Sequence, residues 1–253
     1  MRFLDLDLDF FMHNINHWRA LNSHERPSAQ DNQAFSPEEC DRYLTENLGL
    51  SKTLPIPGKF VINHVDAFAH WKSLICDHHL VAPFDVVHVD AHADLGLGEA
   101  NWVKFVTEHM HLPISERSNP TIDQDNMTSG NYLTYALSCG WIRSLTYVHN
   151  EPRTGRGGND LMSCHFKNFT SDSKVIELKA CKKSESLYYI RCTDYEQCGV
   201  ISTDPEIPFD KVPASAFRNS QKFNFALLCQ SPEFTPSTCD DLIPIIGQYI
   251  KFL

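Results

Sequence analysis

The segment Val86-Val87-His88-Val89-Asp90-Ala91-His92-Ala93-Asp94 constrains this chain more than any other. A run rich in β-branched residues leads, with no turn residue between, into Asp-Ala-His-Ala-Asp, and such a run reads as a buried strand. Side chains alternate between faces along an extended chain, so Asp90, His92 and Asp94 are expected to project to one side. In an open α/β sheet, ligands bind beyond the carboxyl ends of the strands, which is where this cluster falls. Crowded carboxylates and an imidazole repel or stay unsatisfied unless something neutralises them, and a divalent cation does so directly. The alternative is a solvated acidic turn, but the alanines between the polar residues suit a packed site better.

Two further segments carry the same chemistry. Phe3-Leu4-Asp5-Leu6-Asp7-Leu8-Asp9-Phe10-Phe11 reads as a strand starting almost at the first residue. Its alternation fits either an amphipathic strand with one wet face or a buried strand whose carboxylates need a metal or donors, and Phe10-Phe11 favours burial. Phe60-Val61-Ile62-Asn63-His64-Val65-Asp66 is a strand ending in His. A lone strand-terminal His is commonly structural, but beside two acidic clusters His64 becomes a candidate imidazole donor. The set combines carboxylates with two imidazoles and no cysteine, and hard oxygen ligands with imidazole favour Mn over a zinc-thiolate site.

These segments belong to an alternating pattern. Lys59 to His64, Phe84 to Asp90, Ile142 to His149, Ser173 to Lys179 and Phe223 to Cys229 read as strands. Ser36 to Gly49, Asp66 to Leu80, Ser129 to Cys139 and roughly Pro236 to Phe252 read as helices. Such alternation predicts an α/β fold, a mainly parallel sheet flanked by helices, and nothing in residues 1–253 marks a domain boundary or a repeat. Ser36-Pro37-Glu38-Glu39 combines a capping box with Pro at the first helical position. His111 to Thr128 and Asn150 to Asp172, with its Gly155-Arg156-Gly157-Gly158, read as long loops of the kind that form lids or walls. That glycine-rich stretch lacks the Gly-Lys-Ser/Thr ending of a phosphate loop. Trp18, Trp71, Trp102 and Trp141 read as core, and His78 and His79 as residues of a helix end.

Composition excludes several classes. The formal net charge of -10 repels nucleic acid and anionic membrane, so neither is expected as a partner. No apolar run approaches the roughly 18 residues a membrane helix needs. Asp5, Asp7 and Asp9 would break a secretory signal, so the cytoplasm is the expected compartment. The 9 cysteines form no Cys-x-x-Cys pair and are expected to be reduced and mostly buried, with Cys192 and Cys198 lacking metal-ligand spacing.

Asp90-Ala91-His92-Ala93-Asp94 resembles the Asp-Ala-His-x-Asp motif of the arginase and agmatinase (ureohydrolase) superfamily, and Leu6-Asp7-Leu8-Asp9 resembles its Phe-Asp-x-Asp motif. The fuller patterns around Leu4 to Phe11, His64 and His88 to His92 are similar to a divergent branch of that fold. That branch includes bacterial peptide arginases, which convert Arg to ornithine within ribosomally made peptides. The resemblance implies a three-layer sandwich of the arginase/deacetylase type. Ordinary members place the His motif first and Asp-x-Asp last. Here Asp-x-Asp comes first, as a circular permutation would leave it. The family's Asp-Pro after Asp-x-Asp is replaced by Phe10-Phe11.

Carried over residue by residue, the resemblance implies two Mn2+, or other divalent ions. His64, Asp90, Asp94 and Asp7 would hold one, and His92, Asp90, Asp7 and Asp9 the other. Asp5 falls on a non-ligand position beneath them. The implied reaction is hydrolysis of a guanidinium group to an amine and urea, on an arginine-containing peptide or a small guanidino substrate such as free arginine or agmatine. Asp94 would orient the nucleophile and shuttle its proton, and His149 would serve as a proton donor to the leaving amine. Glu233, after the last strand of the expected sheet, would either face the guanidinium or lie on a surface loop. Asn131 would either offer its side chain to the substrate or cap the helix it opens. Two other classes stay open. Deacylases of the same fold use one metal and carry His at one position of the Asp-x-Asp pair, and a binding protein can keep a structural metal without turnover.

Overall fold

The leucines and aspartates that alternate at the start of the chain separate onto opposite faces of a sheet. The computed structural model describes residues 1–14, 26–96, 99–150, 161–170, 172–183 and 198–253. Trp18, the 155–158 stretch and Cys192 lie outside the described residues. In chain order the strands are β1 (Arg2–Asp7), β2 (Ile56–Val61), β3 (Phe84–Asp90), β4 (Ile142–His149), β5 (Val175–Ile176), β6 (Lys179–Cys181), β7 (Val200–Thr203), β8 (Ile207–Pro213), β9 (Phe225–Cys229) and β10 (Ile250–Phe252). The α-helices are α1 (Pro37–Arg42), α2 (Asp66–Cys76), α3 (Glu99–Thr107), α4 (Tyr132–Ser138) and α5 (Ile243–Ile246).

Eight strands form one sheet in the order β10-β2-β9-β1-β3-β4-β8-β5. Every neighbouring pair in it is parallel except β5 with β8. The protein is thus α/β with a mainly parallel central sheet, as expected. Leu4 and Leu6 enter an apolar cluster with Val87, Val89 and Leu228, to which α1 contributes Cys40 and α5 contributes Ile246. Phe3 enters a different cluster with Val86, Leu145 and Leu227, to which α2 contributes Trp71, α3 Val106 and α4 Leu133. The Asp face of β1 is therefore not wet: Asp5 and Asp7 are buried on the side of Phe3.

The chain leaves β1 toward β2 on one side and returns from β2 to β3 on the other. Parallel crossovers keep one hand, so reversing direction carries the connecting helix to the other face, and α1 and α2 accordingly join different clusters. The carboxyl ends of the strands around that reversal open a crevice.

Local expectations hold where caps are strong. Ser36 accepts from Glu39 N while Glu39 Oε2 accepts from Ser36 N, completing the capping box. The helix runs on through a π-helical turn (Tyr43–Asn47) and stops before Gly49, whose φ is +65°. His78, just past α2, also takes a positive φ of 60°. The expected C-terminal helix breaks up instead. A 3-10 segment (Ser237–Leu242) precedes the short α5, where Pro244 can only sit in the first turn, and Gly247 follows. Ile250 to Phe252 then pair with β2 as an edge strand. The strand expected over Ser173 to Lys179 divides because β5 pairs with β8 whereas β6 pairs with β7 in a separate two-stranded sheet. No helix among the described residues is long and apolar enough to cross a membrane.

Among the described glycines, Gly58 is the one where an added Cβ would meet its neighbours most closely. A Cβ built there would stand 2.6 Å from the Ala226 carbonyl oxygen on β9 and 2.4 Å from Ile250 Cγ2 on β10. The backbone atom cannot move without parting two strands, so Gly58→Ala is expected to destabilise the protein by about 1–3 kcal/mol. A lowered urea midpoint at unchanged slope is the expected readout, and an unshifted midpoint would contradict this packing.

Candidate metal centre

Asp7 ends β1, and its Oδ1 accepts from Asp9 N at 2.9 Å, capping a 3-10 turn over Leu8–Phe11. The strand expected to continue through Phe11 thus stops at Asp7, because this cap draws the chain into a turn. The turn carries Asp9 toward β3, where its Oδ1 accepts from Ala91 N at 3.2 Å and its Oδ2 lies 2.8 Å from His92 Nδ1. Beyond β3, Asp90 Oδ1 accepts from His92 N at 2.6 Å, closing the loop that presents His92. Asp94 has φ +49°, a left-handed conformation that costs a non-glycine residue energy and that functional loops commonly retain.

His64, between β2 and α2, reaches into the same space. Its Nδ1 lies 3.0 Å from Asp7 Oδ2, 3.1 Å from Asp90 Oδ2 and 3.0 Å from Asp94 Oδ2. Neither His64 Nδ1 nor Asp90 Oδ2 makes a hydrogen bond, although both are buried. On the other side, His92 Nδ1 lies 3.7 Å from Asp90 Oδ1. Asp90 thus turns one oxygen to the His64 group and the other to the His92 group. All six residues expected as ligands, Asp7, Asp9, His64, Asp90, His92 and Asp94, line one cavity of about 220 Å³, with Gly96, Ser129, Gly130, Ser231 and Phe234.

A further layer lies beneath. Asp5 Oδ1 is 3.2 Å from His64 Nε2, and its Oδ2 is 3.1 Å from His88 Nδ1 and accepts from the Tyr132 hydroxyl. An ionised carboxylate only accepts, so Nε2 of His64 carries the proton directed at Asp5. The Tyr132 ring packs on the His64 ring with centroids 4.8 Å apart. Ser231, at φ +46°, donates its hydroxyl to Asp7 Oδ2.

The remaining expected site residues stand farther out. His149 ends β4 as the register partner of Asp90 and packs beside Tyr147, but it does not line the cavity. Glu233 is exposed, between the lining residues Ser231 and Phe234. Asn131 is buried; its carboxamide accepts from Thr128 N at 2.7 Å and donates to Asn126 O at 2.9 Å. It therefore shapes the turn that presents Ser129 and Gly130 and does not itself line the cavity. Nor does its side chain cap α4. Tyr132, Cys229, Ser231 and Phe234 were not singled out by sequence. The available signal was the polar residue directly after an apolar strand, Gln230-Ser231, the pattern that pointed to His64 and Asp90.

The electrostatics follow from burial. Burial and then repulsion from Asp9 raise the Asp7 carboxyl above its ordinary range. Burial, then the charges of Asp9, Asp7 and Asp94, raise Asp90 well above it. Burial also opposes ionisation of Asp9 and Asp5, but His92 together with the Ala91 N–H and Asp90 outweighs it for Asp9, and His64 with His88 outweighs it for Asp5, so both are held low. Burial pulls His64 down, yet Tyr132, Asp5 and Cys229 around it push it well above the imidazole range. Of these three, Asp5 carries the charge, since burial keeps Tyr132 and Cys229 protonated. Burial and the crowding of like charges thus favour the protonated form of Asp90, and the surrounding acidic groups favour the protonated form of His64.

These donors fit divalent ions: buried, hard, carboxylate-rich, with an unpartnered imidazole nitrogen and an unpartnered carboxylate oxygen aimed at one another's group. No protein-family model matches the sequence, and no curated protein matches it.

Binding of a divalent ion here would compete with protons at Asp7, Asp90 and His64, whose protonated forms the site favours, and not at Asp5 and Asp9, whose ionised forms it favours. Affinity for a divalent ion is therefore expected to rise with pH above the ordinary carboxylate range and to fall on acidification. Titration calorimetry in buffers of different ionisation enthalpy should report net proton release, and a pH-independent affinity without release would contradict this arrangement.

Proposed function

We propose that this protein is a dimanganese hydrolase that cleaves the guanidinium group of arginine, foremost of arginine residues within a peptide, giving ornithine and urea. The observation that carries the reading is Asp90, whose two oxygens face two separate imidazole-carboxylate groups, the arrangement a two-ion hydrolytic centre needs. The carboxylate-dominated donors favour Mn over softer ions. The parallel sheet, with helices in both apolar clusters, is compatible with a three-layer sandwich of the arginase/deacetylase type. The Asp-x-Asp pair on β1 is compatible with its circular permutation. A chain whose described cysteines are free thiols also fits the cytoplasm.

His64, Asp7, Asp90 and Asp94 would hold one ion and His92, Asp7, Asp9 and Asp90 the other. Bound there, the pair would supply Lewis acidity and activate water at neutral pH. The protein's own groups do the rest. Asp94, at 6% the most exposed of the clustered carboxylates, orients the attacking water and takes its proton. Ser231 fixes the Asp7 carboxylate by its hydrogen bond. His149, the register partner of Asp90 at the end of β4 but outside the cavity lining, would reach the departing amine with a proton only through an intervening water. Water adds across the guanidinium carbon and the bond to the side-chain nitrogen breaks, leaving ornithine and urea. Exposed Glu233 attracts the entering cation, and Phe234, packed 4.9 Å from the His92 ring, gives it an apolar wall. The small groups of Gly96, Ser129 and Gly130 leave passage for a long side chain borne by a peptide.

Mass spectrometry of arginine-containing peptides incubated with Mn-loaded protein, with free arginine and agmatine in parallel, tests the reading. The expected result is loss of a CH2N2 unit from a peptide arginine with release of urea. Turnover of the free compounds alone would make it a small-molecule ureohydrolase. No turnover with two ions bound would favour the deacylase class. Asp7→Ala and Asp90→Ala are each expected to weaken metal binding by more than the roughly 10–100-fold that losing an outer-shell partner costs, and to abolish turnover. Retention of metal and activity by both would overturn the assignment.

A further inference from the structure

A sulfur atom stands beside the carboxylate-rich centre. Cys229 is the last residue of β9, and the register sets it next to Asp7 on one side and Val61 on the other. Its side chain is fully buried, with Sγ 3.2 Å from Ser231 Oγ and 3.5 Å from the Ile62 carbonyl oxygen. One donor atom each from Asp7, His64 and Cys229 lie within 4.8 Å of one another. His64 Nδ1, buried and without a hydrogen bond, is 3.0 Å from Asp7 Oδ2. A ring nitrogen of His64, a carboxylate oxygen of Asp7 and the Cys229 sulfur therefore converge at the ends of adjacent elements, and His64 Nδ1 is without a hydrogen-bond partner.

We propose that Asp7, His64 and Cys229 form a second, sulfur-containing donor set within this centre, one that takes a thiophilic divalent ion of the zinc, cobalt or cadmium class. The proposal rests on the reading of the cavity as a metal centre and not on any substrate. Thiolate favours soft and borderline ions over manganese, whereas the neighbouring carboxylates favour hard ones. As such an ion binds, the Cys229 S–H bond breaks, the metal–sulfur bond forms, and the proton leaves to water. Asp7 and His64 belong to both sets, so the two modes exclude one another. An ion held by Cys229 withdraws His64 from Asp90 and Asp94, and zinc becomes an inhibitor of the manganese form acting through this thiol.

The test loads the wild-type protein, Cys229→Ser and Cys229→Ala with Co2+, recording bound cobalt by elemental analysis and the near-ultraviolet spectrum. Wild type is expected to show a thiolate-to-cobalt charge-transfer band that both variants lose, with cobalt affinity falling by at least the roughly tenfold cost of losing an outer-shell partner. X-ray absorption of the zinc-loaded wild type is expected to show sulfur in the first shell at about 2.3 Å. That measurement decides the matter alone should the variants fail to fold. Bound cobalt without the band, a band that persists in the variants, or a zinc shell of oxygen and nitrogen only would overturn the proposal while leaving the metal centre standing. Failure of wild type to bind any of these ions or manganese would overturn both.

Discussion

The structure is organised around the cost of burying charge. Asp5, Asp7, Asp9, Asp90 and Asp94 all sit at 6% exposure or less, and an uncompensated ionised carboxylate is among the costliest groups a fold can enclose. Compensation comes in layers. Backbone N–H groups of Asp9, Ala91 and His92 serve Asp7, Asp9 and Asp90. Hydroxyls of Ser231 and Tyr132 serve Asp7 and Asp5. Imidazoles supply the rest. The backbone donors and Ser231 sit at strand ends or in the turns after them, whereas Tyr132 comes from α4 and His88 from within β3, and β1 and β3, buried except at Arg2 and Asp85, hold the charged residues in place. What remains unserved is His64 Nδ1 and Asp90 Oδ2, both facing the cavity.

Asp5 shows how a residue that does not line the cavity sets the chemistry inside it. Because it stays ionised, it fixes the Nε2 proton of His64 and turns Nδ1 toward Asp7, Asp90 and Asp94. Carboxylates behind metal-binding histidines act in this way generally, fixing tautomer and ring orientation while raising basicity. The Tyr132 hydroxyl holds Asp5 in turn, and this explains a helix buried at every position: α4 exists to pack against α2 and to place Tyr132 under the His64 ring.

Much of this was legible in the sequence because parity is local. Period-2 alternation placed Leu4 and Leu6 opposite Asp5 and Asp7, but the alternation expected through Asp90, His92 and Asp94 stops at Asp90, where β3 ends, and the turn beyond it carries His92 and Asp94 to the carboxyl end of the sheet. The six expected cavity donors come together as a result. Less was legible where partners decide. β8 carries Pro208 and Pro213 and the adjacent charges of Asp210 and Lys211, and it becomes a strand because β4 pairs with it. Ile250 to Phe252 follow a helix-like pattern but find the open side of β2. Helix α3 was missed although Trp102 and Val106 pack into the core. Ser231 and Cys229 matter only because β9 lies beside β1, a pairing across more than two hundred residues that local pattern does not encode.

Asp94 and Ser231 share a property that neither sequence position announces: both hold φ near +50°, at 49° and 46°, where glycine would be at ease. Each conformation costs a non-glycine residue about 1–3 kcal/mol, so the surrounding contacts must impose it. Around Ser231 they are its own N–H to Ile62 O at 3.0 Å and the Thr235 amide and hydroxyl returning to its carbonyl. Near Asp94, Gly96 N reaches Gly130 O at 2.9 Å, tying the loop to the opposite wall. Glycine at either position would relieve the strain but remove the Asp94 carboxylate that meets His64 or the Ser231 hydroxyl that holds Asp7. Stability and side-chain function therefore pull in opposite directions at two points on the rim of one cavity. The strained backbone is kept at both positions together with the side chain that meets His64 or Asp7 in the cavity lining.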